Sequence, residues 1–210
     1  MSKKSKVIRL VIIFLILILV IFLAAFIGYN YLKEDTNNVV EEIKIVKSIE
    51  AYDYNLKENE TTLYNDTFEE LVNTLTANDV SYEEYAKVIS KLFIIDFYTL
   101  NNKLSKNDIG GTDFIYPDMV DNFIEEARST FYKYIETNTG ENKNNNLPEV
   151  SSIDEVLVEE TTFTLKEKKE TIDAYKVTIK WSYKNETDYE KEAKIILVRK
   201  DNKLYIVEMD

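Results

Sequence analysis

Apolar residues change their spacing once along this chain, and that change limits the folds open to it. From Tyr64 to Ile135 they recur every three or four positions. From Tyr175 to Tyr183 they recur every second position, with Tyr175, Val177, Ile179, Trp181 and Tyr183 alternating with Lys176, Thr178, Lys180, Ser182 and Lys184. The first spacing is that of helices with one dry face, the second that of a strand with one dry and one wet face. Helices come first and strands after, which predicts an α+β domain with the helices on one face of a sheet.

Three helices are expected. The first runs over Leu63–Ala77, with Asp66 and Glu69 as a capping pair, and Asn78-Asp79 ends it. Ser81 and Glu84 form a second capping box, which opens a central helix. Its stripe of Tyr85, Ile89, Leu92, Phe93, Phe97, Leu100 and Leu104 is widened by Ile94 and Ile95 almost all round. Such a helix is covered on more than one side. Two of the four glycines, Gly110 and Gly111, then mark a sharp turn, and Pro117 suits the first position of a third helix. That helix carries Val120, Phe123, Ile124, Ala127, Phe131, Tyr134 and Ile135 as far as Asn138-Thr139-Gly140.

The polar run Glu141–Leu147 and Pro148 separate helices from strands. Val156, Val158 and Phe163 predict a strand before Tyr175–Tyr183, and Ala193–Val198 one after it. Asp201-Asn202 is a two-residue hairpin turn leading to a last strand, Leu204–Met209. Short connections favour an antiparallel meander of four or more strands. Upstream, Ser48–Leu56 reads as one strand at a sheet edge, followed by a turn over Lys57–Glu60.

Leu10–Tyr29 is a different kind of segment: 20 residues without a charge, the length a helix needs to cross a bilayer core of about 30 Å. Lys3, Lys4, Lys6 and Arg9 precede it and no acid does. The positive-inside rule then places residues 1–9 in the cytoplasm and everything after the span outside, as a single-pass plasma-membrane protein. A cleaved signal peptide is disfavoured, because the apolar run exceeds the usual length and no clean small-x-small site follows it. Residues 30–60 read as a juxtamembrane spacer with a possible edge strand, and 61–210 as the extracytoplasmic domain.

Charge and composition remove several functions. Of 26 basic residues four precede the span, so 22 face 38 acidic residues after it, a balance of −16. A domain so acidic repels phosphate backbones, which argues against nucleic-acid binding. The chain has neither Cys nor His, which removes thiolate chemistry, histidine triads and the usual zinc ligands. No cofactor or metal is expected. The Asn107–Asp113 turn lacks the ligand spacing of an EF-hand and the Lys-Ser/Thr of a phosphate loop.

Asp96 is the candidate catalytic residue, because it shares a helix face with Ile89, Leu92, Phe93 and Leu100. Desolvation there would raise its pKa and suit it to act as a general base. The competing reading is structural: Asp96 accepts hydrogen bonds from the Asn107–Thr112 turn, or pairs with Arg128 or a lysine. Trp181, Tyr183 and Tyr98 are candidate ligand-binding residues, the competing reading being plain core.

From Leu63 to Asp210 the order of elements resembles the nuclear-transport-factor-2-like superfamily, in which a curved sheet wraps a long helix to form a cone. A bacterial membrane subset of it has the same layout of short cytoplasmic tail, one span and an external cone, and includes assembly components of type IV secretion and conjugation machines. The stretch LFIIDFYTLNNKLSKNDIGG also resembles a segment of uncharacterised single-pass membrane proteins of low-GC bacteria. The resemblance implies a non-enzymatic interaction or assembly module of the cell envelope with a protein partner or a second copy of itself. The alternative it leaves open is a small-molecule-binding or enzymatic cone with Asp96 as the pocket carboxylate.

Overall fold

The computed structural model describes residues 44–135, 138, 146–165 and 170–210. The expected cytoplasmic tail, the span Leu10–Tyr29 and the first part of the spacer lie outside these residues, as does most of the 141–147 break. Among the described residues no helix is long and apolar enough to cross a membrane. Lys44–Asp210 forms one compact unit.

This unit is α+β. Strands β1 (Ile45–Ile49) and β2 (Tyr54–Lys57) form an antiparallel hairpin. Helices α1 (Thr62–Thr76), α2 (Tyr82–Tyr98) and α3 (Val120–Ser129) follow. Strands β3 (Val150–Leu165), β4 (Glu170–Tyr183), β5 (Glu192–Lys200) and β6 (Lys203–Met209) then build an antiparallel meander in sequence order. The register shifts near both ends of the meander, between Val150 and Glu155 in β3 and at Ile196/Leu197 in β5. Irregularities of this kind bend and twist a sheet.

Helix α2 is the centre of the core. Twelve of its 17 residues are buried, and the main cluster joins it to Phe68 and Leu71 of α1 and to Val177, Ile179, Trp181, Ile195 and Leu197 of the sheet. Each large side chain so buried contributes about 1.5–3 kcal/mol. The helix starts where the capping box put it, with the Ser81 hydroxyl accepting from the Glu84 N–H at 3.3 Å.

Several boundaries differ from the sequence reading, each for a local reason. Ser48–Leu56 holds parts of two strands rather than one, because Glu50–Tyr52 turns as a 3-10 segment and Asp53 takes a left-handed conformation (φ 51°). The hairpin pairs apart from the four-stranded sheet. Thr61, not Asp66, caps α1, accepting from the Tyr64 N–H at 3.2 Å. Helix α2 stops at Tyr98, short of Leu100 and Leu104, since the Leu100 and Asn101 N–H groups donate to the Pro148 carbonyl at 2.8 and 3.2 Å. Pro117 opens a 3-10 turn, Pro117–Met119, instead of α3 itself. Helix α3 ends at Ser129, where the chain turns to bury Tyr132. The Asp201-Asn202 turn is as expected, with Asp201 at φ 58°.

Candidate functional site

Two places in the unit concentrate chemistry: a closed ionic cluster at the carboxyl end of α2 and an open aromatic cavity on the other side of that end.

In the closed cluster Asp96 is buried, and its Oδ1 accepts a hydrogen bond from the Lys103 Nζ, which is buried as well. Its Oδ2 accepts from the Gly111 N–H at 2.6 Å. The glycines let the chain come this close. A Cβ on Gly110 would stand 2.3 Å from the Asp96 carbonyl oxygen, and one on Gly111, at φ +77°, 2.6 Å from the Phe93 ring. Tyr132 fastens the turn from outside, donating to the Phe97 carbonyl at 2.7 Å and accepting from the Gly110 N–H at 3.1 Å. Asp108 ties the loop internally by accepting from the Leu104 N–H at 2.9 Å.

The charge balance of this cluster departs from the desolvation argument for Asp96. Burial pushes the Asp96 pKa up, but the Lys103 charge and hydrogen bond, the Lys57 charge and the Gly111 N–H outweigh it, so the carboxyl is held below its ordinary value. Burial pulls Lys103 down, and Asp96 and Glu60 more than reverse this, leaving it raised. The pair therefore stays ionised. The group moved toward neutrality is Glu60, pushed from 4.5 to about 7 by burial first and by the Asp96 charge next. Its Oε2 accepts from the Asn102 Nδ2 at 3.2 Å.

Of the expected partners of Asp96, the turn and a lysine are present and Arg128 is not. Lys103 and Glu60 carried no separate signal in the sequence. Both lie in loop segments where helical or strand periodicity says nothing about direction. The seven-residue step from Asp96 to Lys103 becomes a contact only because α2 ends between them.

The open cavity has a volume of about 710 Å³. Phe93, Phe97, Phe123 and Phe131 form its aromatic wall, and Ile206 and Met209 of β6 close the opposite side. Phe97 is the hub, with ring centroids 5.3–5.5 Å from those of Phe93, Phe123 and Phe131, separations at which aromatic pairs attract. Tyr98 lines this cavity. Trp181 and Tyr183, the other two expected ligand contacts, are buried beside it and do not line it. Trp181 instead supports Tyr98, their ring centroids 4.8 Å apart. Asp96 is absent from the lining.

Among the described residues the charged members of the cavity wall are Glu126, Glu190 and Glu208, all exposed. The lysines of β4 are not part of this wall and are matched across to β3, Lys176 reaching Glu159 at 3.8 Å and Lys180 reaching Glu155 at 2.7 Å, and just past the strand ends Lys184 reaches Glu149 at 2.5 Å. Among the described residues no group of three acids is arranged to hold a metal ion. Chemically, the arrangement offers an apolar recess with a negative rim, and an ion pair sealed away from it.

Comparison with protein-family models, with curated proteins and with solved structures finds no match for this chain.

Proposed function

We propose that this chain is a membrane-anchored, extracytoplasmic interaction module of the bacterial cell envelope. It is non-enzymatic and built as a cone of the nuclear-transport-factor-2-like kind. The observation that carries the reading is the division of labour at the end of α2. The buried carboxylate is engaged by Lys103 and the Gly111 N–H, while the recess beside it presents aromatic rings and three exposed glutamates. A recess of that kind suits binding better than proton transfer, for which a base must reach the reacting atom. Helices followed by a meander with register shifts at both ends support the cone. The 20-residue apolar run and the basic residues before it support the anchor.

Crosslinking in native membranes tests this function. The expected product is one reproducible heteromeric adduct or a homodimer, formed through photoreactive groups placed at Phe123 or Phe131. Recovery of monomer alone, from sites throughout the domain, counts against it.

The cavity volume favours one further reading, since about 300–1,000 Å³ is the range of small-molecule sites. A small ligand held there would meet Phe97, Tyr98 and Phe123 and not Asp96, which does not line the recess, and this reading predicts that Asn122→Trp, which fills the recess, abolishes small-ligand binding while the fold persists. Binding unchanged in that variant removes this reading.

A further inference from the structure

Strand β6 is the last strand of the sheet and pairs with β5 on one side only. Its outer edge is occupied in the first half. The Leu204 N–H and carbonyl face the Tyr85 and Tyr54 hydroxyls at 3.5 Å each, and the Ile206 carbonyl accepts from the Tyr116 N–H at 2.9 Å. Past Ile206 the strand runs along the aromatic cavity, where Val207, Glu208 and Met209 are part of the wall. No strand pairs with that outer side among the described residues. An unpaired edge beside an apolar recess is the arrangement to which an extended peptide adds, its backbone pairing with the edge and alternate side chains entering the recess.

The rim specifies the peptide further. Glu126 of α3, Glu190 of the β4–β5 loop and Glu208 of β6 come from three separate elements. None of them has an ion-pair partner among the described residues, although acids of α1, α2 and β3 pair with lysines. Among the described residues no lysine or arginine is part of the cavity wall. The negative rim is thus left uncompensated around an aromatic floor.

Resting on the proposed interaction function, we infer that the recess between α3 and β6 takes an extended segment of a partner protein. That segment presents bulky apolar side chains flanked by lysine or arginine. The apolar side chain sits on Phe97 and Phe123, and the flanking cations meet Glu126, Glu190 and Glu208.

The test uses the full chain in nanodiscs and two synthetic probes, acetyl-Lys-Phe-Ile-Phe-Lys-amide and acetyl-Glu-Phe-Ile-Phe-Glu-amide, followed by isothermal titration. The basic peptide binds at least about tenfold tighter, the sum expected from two or three exposed charge pairs. The advantage shrinks in 0.5 M salt. The triple variant E126Q/E190Q/E208Q, which alters exposed side chains only, erases the advantage. Asn122→Trp, an exposed wall position filled with a large ring, removes binding of the basic peptide with no loss of thermal stability. Equal affinity for the two peptides, or binding indifferent to Asn122→Trp, overturns the inference. Phenethylammonium binding as tightly as the basic peptide also overturns it, in favour of a small organic cation. A crosslinked partner recovered at Phe123 despite no peptide discrimination leaves the interaction function standing and removes the peptide chemistry. No crosslink and no peptide binding remove both.

Discussion

Lys103 and Asp96 are each other's strongest support for staying charged in the core, and the consequence of separating them can be stated as a free energy. Lys103→Met leaves a buried carboxylate with the Gly111 N–H as its remaining partner at hand. Removing one member of a buried pair costs about 3–5 kcal/mol. Thermal melts of the single variant should show a loss of that order, and the double variant Asp96→Asn/Lys103→Met a clearly smaller one. A single-variant loss below about 1 kcal/mol would mean that the pair is solvated. Glu60 adds a dependence on pH whose sign follows from its raised pKa. The unfolded chain releases this proton near 4.5, and the folded chain holds it until about 7. Its contribution is therefore complete below 4.5 and is lost as pH rises through 7. Asp96, held below its ordinary 3.8, does the reverse: its contribution is present above that value and is lost as pH falls through the folded pKa. Stability should decline from pH 4.5 to 7 in the native chain, and Glu60→Gln should flatten that decline. A variant whose melting temperature follows the native curve over this window would show that Glu60 ionises normally.

Elements were legible in the sequence where one side chain or one period determines them. Ser81 is such a case. Its hydroxyl takes the Glu84 N–H, so Ser81→Ala should destabilise the domain by about 1 kcal/mol, and Ser81→Asp should restore it. An unchanged melting temperature in the alanine variant would place the helix start under tertiary control. The period-two run of β4 and the Asp201-Asn202 turn were equally readable, because alternation and a left-handed Asp are local properties. Boundaries set by distant groups were not. Nothing near Leu100 says that Pro148, 48 positions on, will take its N–H and that of Asn101, and so the stripe through Leu104 overstated α2. The same limit applied to the site. Of the three residues expected at a pocket, Tyr98 lines the recess and Trp181 and Tyr183 do not, and the recess owes its rim to Glu126, Glu190 and Glu208, three exposed glutamates from separate elements. On a chain with 38 acids none of these stands out until the fold brings them together.

For the whole molecule the first question is topology. External protease added to intact cells should degrade Lys44–Asp210 while the chain remains in the membrane fraction after carbonate washing, and protection of the domain would reverse the proposed orientation. A second consequence is mechanical. In the β1–β2 hairpin, Ile45 pairs with Lys57 and Ile49 with Tyr54, and the Lys44 carbonyl accepts from the Glu58 N–H at 2.9 Å. The chain therefore enters the folded unit at the open end of this hairpin. Tension transmitted from residues before Lys44 pulls its rungs apart one at a time, the weak direction of a strand pair, instead of shearing them together. Unzipping meets resistance at Lys47, which pairs with Glu69 of α1 at 2.6 Å, then at Ile49 and Tyr52, which pack on the core, and then at Tyr54, whose buried hydroxyl is 2.7 Å from that of Tyr85. Until then each freed residue lengthens the tether by about 3.3–3.6 Å. Under tension from that side the hairpin bears the load before α2 does, through its own rungs, the Lys47–Glu69 ion pair and the packing of Ile49 and Tyr52 on the core.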